Sequence, residues 1–167
     1  MEEISHEIEK MVQAKESLYK SLLELLETER QYIVDMDVES LWKCAEEKKQ
    51  ISLEIVGVRN EILALAESVC GEAGMDAQTF SLARLLKAVP FPSSAKARLK
   101  LHKVTIELCK EEIAARSRDN QKHVREYLAV IDDIMAVAVN DPSNAQYTPM
   151  GAMPGQKQSS RLIHAEV

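Results

Sequence analysis

The chain opens on Glu3-Ile4-Ser5-His6, a Glu-x-x-His step that sets a carboxylate and an imidazole on one helix face, as a di-iron site requires. Such a centre also needs a second Glu-x-x-His and two more inward glutamates from neighbouring helices. The other helical histidines do not supply them, since Leu99 stands three residues before His102 and Asn120 three before His123. The three cysteines, Cys44, Cys70 and Cys109, are far apart and form no Cys-x-x-Cys, which argues against a zinc site or a disulfide framework. Cys109 with His102 or His123 has the residue types of a nucleophile and its base. On a helix, however, 102 and 109 lie about two turns apart along one stripe, so the thiol reads better as a small apolar filler. Phosphate-binding Gly-rich loops and a Gly-x-Ser-x-Gly elbow are absent. The expectation is a protein with no catalytic residues, no metal site and no cofactor.

What these residues sit on is a set of helices. The composition is 46% hydrophobic with only 4% aromatic residues, and Gly and Pro number five each. That balance favours helix and disfavours a sandwich or barrel. The net charge of −6 disfavours general binding to nucleic acid or anionic membrane. No apolar run approaches the roughly 20 residues of a membrane span, and the acidic start lacks a signal-peptide core. A reducing cytoplasm suits the cysteine usage.

The breakers divide the chain. All prolines follow residue 89, and four of the five glycines lie at seams, leaving Gly57 alone inside a helical pattern. A first helix is predicted over about 3–34 on Ile4, Ile8, Met11, Leu18, Leu22 and Leu25. Lys15 and Glu29 interrupt its heptads, which an antiparallel bundle tolerates better than a long zipper. Asp37 is placed to N-cap the second helix, which carries Leu41, Ile51, Ile55, Val58, Ile62, Leu65 and Val69 and ends at Gly71–Gly74. Asp76 or Thr79 is the expected cap of a short helix, "FSLARLLKAV", stopped by Pro90. A serine cap in "PFPSS" then opens the longest helix, about 95–139. Residues 140–167 have three prolines, two glycines and no sustained period, and read as a flexible tail. The predicted fold is all-α: an elongated antiparallel bundle of three long helices plus one short helix over 1–139, followed by the flexible C-terminal tail. The first two helices should each span roughly 50 Å and the last roughly 65–70 Å, so a hairpin of the first two cannot cover the whole of the last.

Two features of the last helix bear on function. Arg116, Asn120 and His123, with His102 nearer its start, fall on the heptad face, either as polar residues that fix register or as a solvated stretch between apolar ends. Further on, Arg125, Glu126, Ala129, Asp132, Asp133 and Ala136 occupy one arc of the wheel. Val124, Tyr127, Leu128, Val130, Ile131, Ile134, Met135, Val137, Ala138 and Val139 fill the remaining roughly 200°, wider than an ordinary core stripe. Either this stretch is wedged between two helices, or it is a partner-binding face. Both hold if the tail covers the face until a partner displaces it. Charge is also unevenly spread. Residues 1–47 carry thirteen acids against five bases, whereas 84–103 carry six bases and no acid. The expected use is pairing of that basic stretch with the first helix; a nucleic-acid patch is disfavoured because no aromatic residues interleave it.

The segment "LLELLETERQYIVDMDVESLWKCAEEKKQISLEI" resembles the N-terminal hairpin of FlgN-type flagellar export chaperones. The later order, "FSLARLLKAV", a long helix with Asn120 and a tail with "YTPMG", is similar to that family as well. The resemblance implies a cytoplasmic chaperone of bacterial motility, with hook-filament junction proteins as cargo and the type III export gate or ATPase components as further partners. It maps the cargo-binding region onto Val124–Val139 and the tail, where Tyr147 and Gly151 take the place of the family's Tyr-x-x-x-Gly. Leu162 and Ile163 are further possible anchors. The implied state is a monomer or weak homodimer, without membrane insertion. The competing reading is a self-associating helical adaptor whose wide apolar face makes a homodimer.

Overall fold

The computed structural model describes residues 2–70 and 81–139. In it α1 spans Glu2–Val34, α2 Val38–Cys70, α3 Leu82–Ala88 and α4 Ser93–Val139. No strand occurs among the described residues, and the all-α bundle of three long helices and one short one is as the sequence predicts. The chain divides into two compact units, 1–128 and 129–167, so α4 contributes to both. The first unit holds all the packing described next.

Three residues, Asp35-Met36-Asp37, separate α1 from α2. Asp37 N–H reaches back to Tyr32 O at 3.0 Å and Met36 N–H to Ile33 O at 3.2 Å, the paired bonds of a Schellman ending. That ending requires a left-handed residue, and Met36 supplies it at φ 54°. Asp37 serves the next helix too: Oδ1 accepts from Ser40 N–H at 3.0 Å and Oδ2 from the Ser40 hydroxyl at 2.6 Å. It is the expected N-cap of α2, and it closes α1 as well. The cap of α3 is Ser81, whose hydroxyl accepts from Arg84 N–H at 3.2 Å. This corrects the expectation of Asp76 or Thr79: the apolar period starts at Leu82, so the residue just before it takes the cap. Helix α4 likewise begins earlier than expected. Ser93 is its first residue, and Lys96 N–H bonds Pro92 O at 2.9 Å. The cap position therefore falls to Pro92 and not to a serine.

The direction of α4 follows from its pairs with α1. Arg98 meets Glu9, His102 meets Glu16, Arg116 meets Glu27 and Asn120 meets the Leu26 carbonyl, at sequence separations of 89, 86, 89 and 94. A nearly constant separation means that α4 runs parallel to α1. Ile8 and Val12 cluster with Ile62 and Ala66, whereas Leu25 meets Cys44 nearer the turn; a separation that shrinks toward the turn makes α2 antiparallel to both. The bundle is up, down, up.

The main core gathers Ile8 and Val12 of α1, Ile62 and Ala66 of α2, Leu85 and Leu86 of α3, and Leu99 and Ile106 of α4. Burying each of the larger of these side chains contributes about 1.5–3 kcal/mol. The short helix thus seals the bundle end where α1 starts, which explains an amphipathic seven-residue helix that would not hold alone. A smaller apolar set, Leu26, Ile33 and Cys44, is buried toward the α1–α2 corner.

Candidate functional site

Residues suited to chemistry do not converge. Glu3 and His6 are both exposed, and no three His, Cys, Asp or Glu side chains are grouped as a metal site would need among the described residues. Cys44 and Cys109 are buried free thiols; burial, with Glu29 nearby, pushes the Cys44 thiol above its usual value. His102 is turned to α1, its Nδ1 lying 2.6 Å from Glu16 Oε2, while Lys20 holds the other oxygen of that carboxylate at 2.6 Å. Burial alone would raise Glu16, but these two partners prevail and hold its carboxyl below the usual range. Glu9 is also held low, chiefly by its bonds from Arg98. The basic stretch of α4 is therefore spent partly on acids of α1, as the charge pattern predicts.

A second polar group fixes how α4 lies on the hairpin. Asn120 is only 4% exposed. Its amide donates to Leu26 O at 2.9 Å and to Glu29 Oε2 at 3.0 Å, and Lys48 of α2 pairs with the other Glu29 oxygen. One carboxylate thus links all three long helices. Glu29, an interruption of the α1 heptads, is the partner that makes a buried Asn120 tolerable. Of the two sequence readings of this stretch, register holds at Asn120, and a solvated break there is excluded. Arg116 reinforces the same level through Glu27 at 2.9 Å and Glu112 at 2.7 Å.

Beyond that level the apolar arc of α4 is not enclosed. Val124, Leu128, Val130, Ile131, Ile134, Met135 and Val137 are all exposed, from 37% at Val124 to 73% at Val137, and Val139 joins them. Tyr127 alone is half-buried. Among the described residues these side chains are not buried. The other predicted site residues, Tyr147, Gly151, Leu162 and Ile163, lie outside the described residues. No described helix is long and apolar enough to cross a membrane, so the apolar arc is not part of a spanning helix.

A family model described as FlgN protein matches residues 1–155. The chain belongs to the FlgN family. It is accordingly a flagellar export chaperone in the general sense of that family. No curated protein and no solved structure matches it significantly.

In this FlgN chain the sequence reading missed two features. Val34, Met36, Val38 and Trp42 crowd the α1–α2 corner and are exposed, Trp42 at 71%; they sit on two helices and a turn, where no single-helix period displays them. Leu101, Val104 and Leu108 form an exposed i, i+3, i+7 stripe on α4, detectable from spacing but hidden there by the stronger core stripe one face over.

Proposed function

We propose that this FlgN chain is a cytoplasmic chaperone that holds the C-terminal segments of hook-filament junction proteins. Contact would be through Val124, Tyr127, Leu128, Val130, Ile131, Ile134, Met135 and Val137, and through the tail residues Tyr147, Gly151, Leu162 and Ile163. It then hands the cargo to the gate or ATPase components of the flagellar type III apparatus. The observation that supports this reading is the exposure of so many aliphatic side chains along one helix. An amphipathic segment laid along it would hide its own apolar face and that of α4 together. Each aliphatic side chain fully buried contributes about 1.5–3 kcal/mol. Ordering a flexible segment on binding costs about 2–5 kcal/mol, which leaves a complex that can be undone at the export machinery.

The test is the pair Ile131→Glu with Ile134→Glu. Both positions are exposed, so helicity by circular dichroism should be unchanged. Titration with a purified C-terminal segment of a junction protein should show binding at least about a hundredfold weaker, because two isoleucines that the cargo would cover become charged. Unaltered binding would remove α4 from the cargo site. Self-association is the rival use of the same aliphatic surface, and sedimentation decides it. A tight homodimer that buries Tyr127, Ile131 and Ile134 leaves no room for cargo, whereas a monomer or weak dimer keeps the site available.

A further inference from the structure

In the first unit, α1, α2, α4 and the start of α3 surround a cleft of about 310 Å³. Four cationic side chains line it: Lys15 from α1, Arg59 from α2, and Lys103 and Lys110 from α4. The only carboxylate among its described lining residues is Glu107. The three lysines alone outnumber that carboxylate by two among the described lining residues, in a chain whose net charge is −6. Glu107 is bonded to Lys110 at 3.0 Å, and the Lys110 ammonium also stands 5.9 Å from the centre of the Tyr19 ring. Lys15 is half-buried and has no hydrogen bond or ion pair with any described residue. Ammonium groups gathered in a concave, partly desolvated site repel one another unless an anion offsets them. The lining also includes the aliphatic side chains of Ile55, Val56 and Leu82.

We propose that this cleft binds a phosphate-bearing small molecule, its phosphate oxygens held by Lys15, Lys103 and Lys110 and its apolar or ring portion laid against Ile55 and Leu82. The volume is at the lower end for small-molecule sites, enough for a nucleotide-sized or smaller anion and too little for a folded segment. Lysine is suited to the task, since its mobile point charge follows phosphate oxygens without demanding a planar fork. The site shares no lining residue with the exposed arc of α4 and does not depend on the cargo reading.

Binding should take up a proton. Lys15 is pushed down to about 8 by burial, with Lys110 and Arg59 adding to the effect and Glu107 opposing it. Tyr19, Lys103 and Ser81 complete the polar groups around the cleft. A phosphate beside Lys15 favours the ammonium, so the bound form holds a proton that part of the free protein lacks at about pH 8.5.

The experiment is calorimetric titration of the full chain with pyrophosphate, ATP and adenosine at low salt, in two buffers of different ionisation enthalpy. Pyrophosphate should bind, with proton uptake near pH 8.5, and should bind about tenfold more weakly to Lys15→Met and to Lys110→Met. The exposed control Lys49→Met should behave as wild type, and melting curves confirm that each variant folds. ATP tighter than pyrophosphate, with adenosine silent, supports the proposal with a nucleotide as the source of phosphate. Equal affinities support it with free phosphates as the source. No heat with any phosphate, or binding by both cleft variants equal to wild type, overturns it. A glutamate-rich peptide that binds as tightly as pyrophosphate and is lost with the same variants also overturns it, in favour of an acidic polypeptide.

Discussion

Replacing Lys15 by methionine should make the protein more stable near neutral pH, and the size of the gain should shrink as pH rises. In the folded chain Lys15 is held at about 8, against 10.5 for a free lysine. At pH 7 folding therefore carries the cost of keeping a half-desolvated ammonium beside Arg59 and Lys110. The gap from 10.5 to about 8 corresponds to about 3 kcal/mol, reduced to about 2 because Lys15 keeps some solvent contact. The sign follows from proton counts. Between these two values the unfolded chain binds a proton that the folded chain has released, so wild-type stability climbs with pH in that window. Methionine has no such proton. Urea unfolding of both proteins from about pH 7 to pH 10 should show the variant's advantage falling by about 2 kcal/mol, with the other lysines and tyrosines common to both and cancelling in the difference. A difference that stays constant across the range would refute the placement of Lys15 in a desolvated cationic cleft.

Gly57→Ala should raise stability by about 1 kcal/mol by thermal melting, because the added methyl meets open space inside α2. Met36→Gly should also stabilise, by about 1 kcal/mol, by relieving the left-handed backbone at φ 54° of a side chain that is mostly in solvent; a lower melting temperature would show that the Met36 side chain matters more than its backbone. Asn120→Ala should cost about 2 kcal/mol in urea unfolding, since the Leu26 carbonyl and Glu29 lose a buried donor. Glu16 is held low in the folded state, so its stabilisation is present above 4.5 and lost as pH falls through its folded value. Glu16→Gln should therefore be less stable than wild type at pH 6, with the difference narrowing toward about pH 3 in an acid unfolding series.

Much of this fold can be read residue by residue. Asp37 announces a helix start because a short carboxylate beside orphan N–H groups has few rivals for that role. Pro90 stops α3 since it removes a donor and restricts its neighbour. The α3 cap is harder to place because Asp76, Thr79 and Ser81 are all chemically suitable, and only the phase of Leu82, Leu85 and Leu86 separates them. The Met36 turn carries no visible signal, since glycine is the usual residue there. Lys15 and Glu29 look alike in sequence, as polar residues breaking a heptad. Three-dimensional placement makes one the wall of a cleft and the other the partner of Asn120. That cleft is invisible in sequence because its cations come from three helices and share no local spacing. The α4 arc is legible from its width, yet two explanations fit that width equally, and no spacing along the helix separates them.

The double duty of Asp37 leaves the corner with no slack. Because the same residue terminates one helix and launches the next, an extra residue between 34 and 38 would turn α2 by about 100° about its axis. Cys44, Lys48 and Ile62 would then swing away from their counterparts together. The hairpin behaves as a geared pair whose phase is set at a single tooth, and a graft of residues 2–70 onto another scaffold would carry its helix alignment along with it.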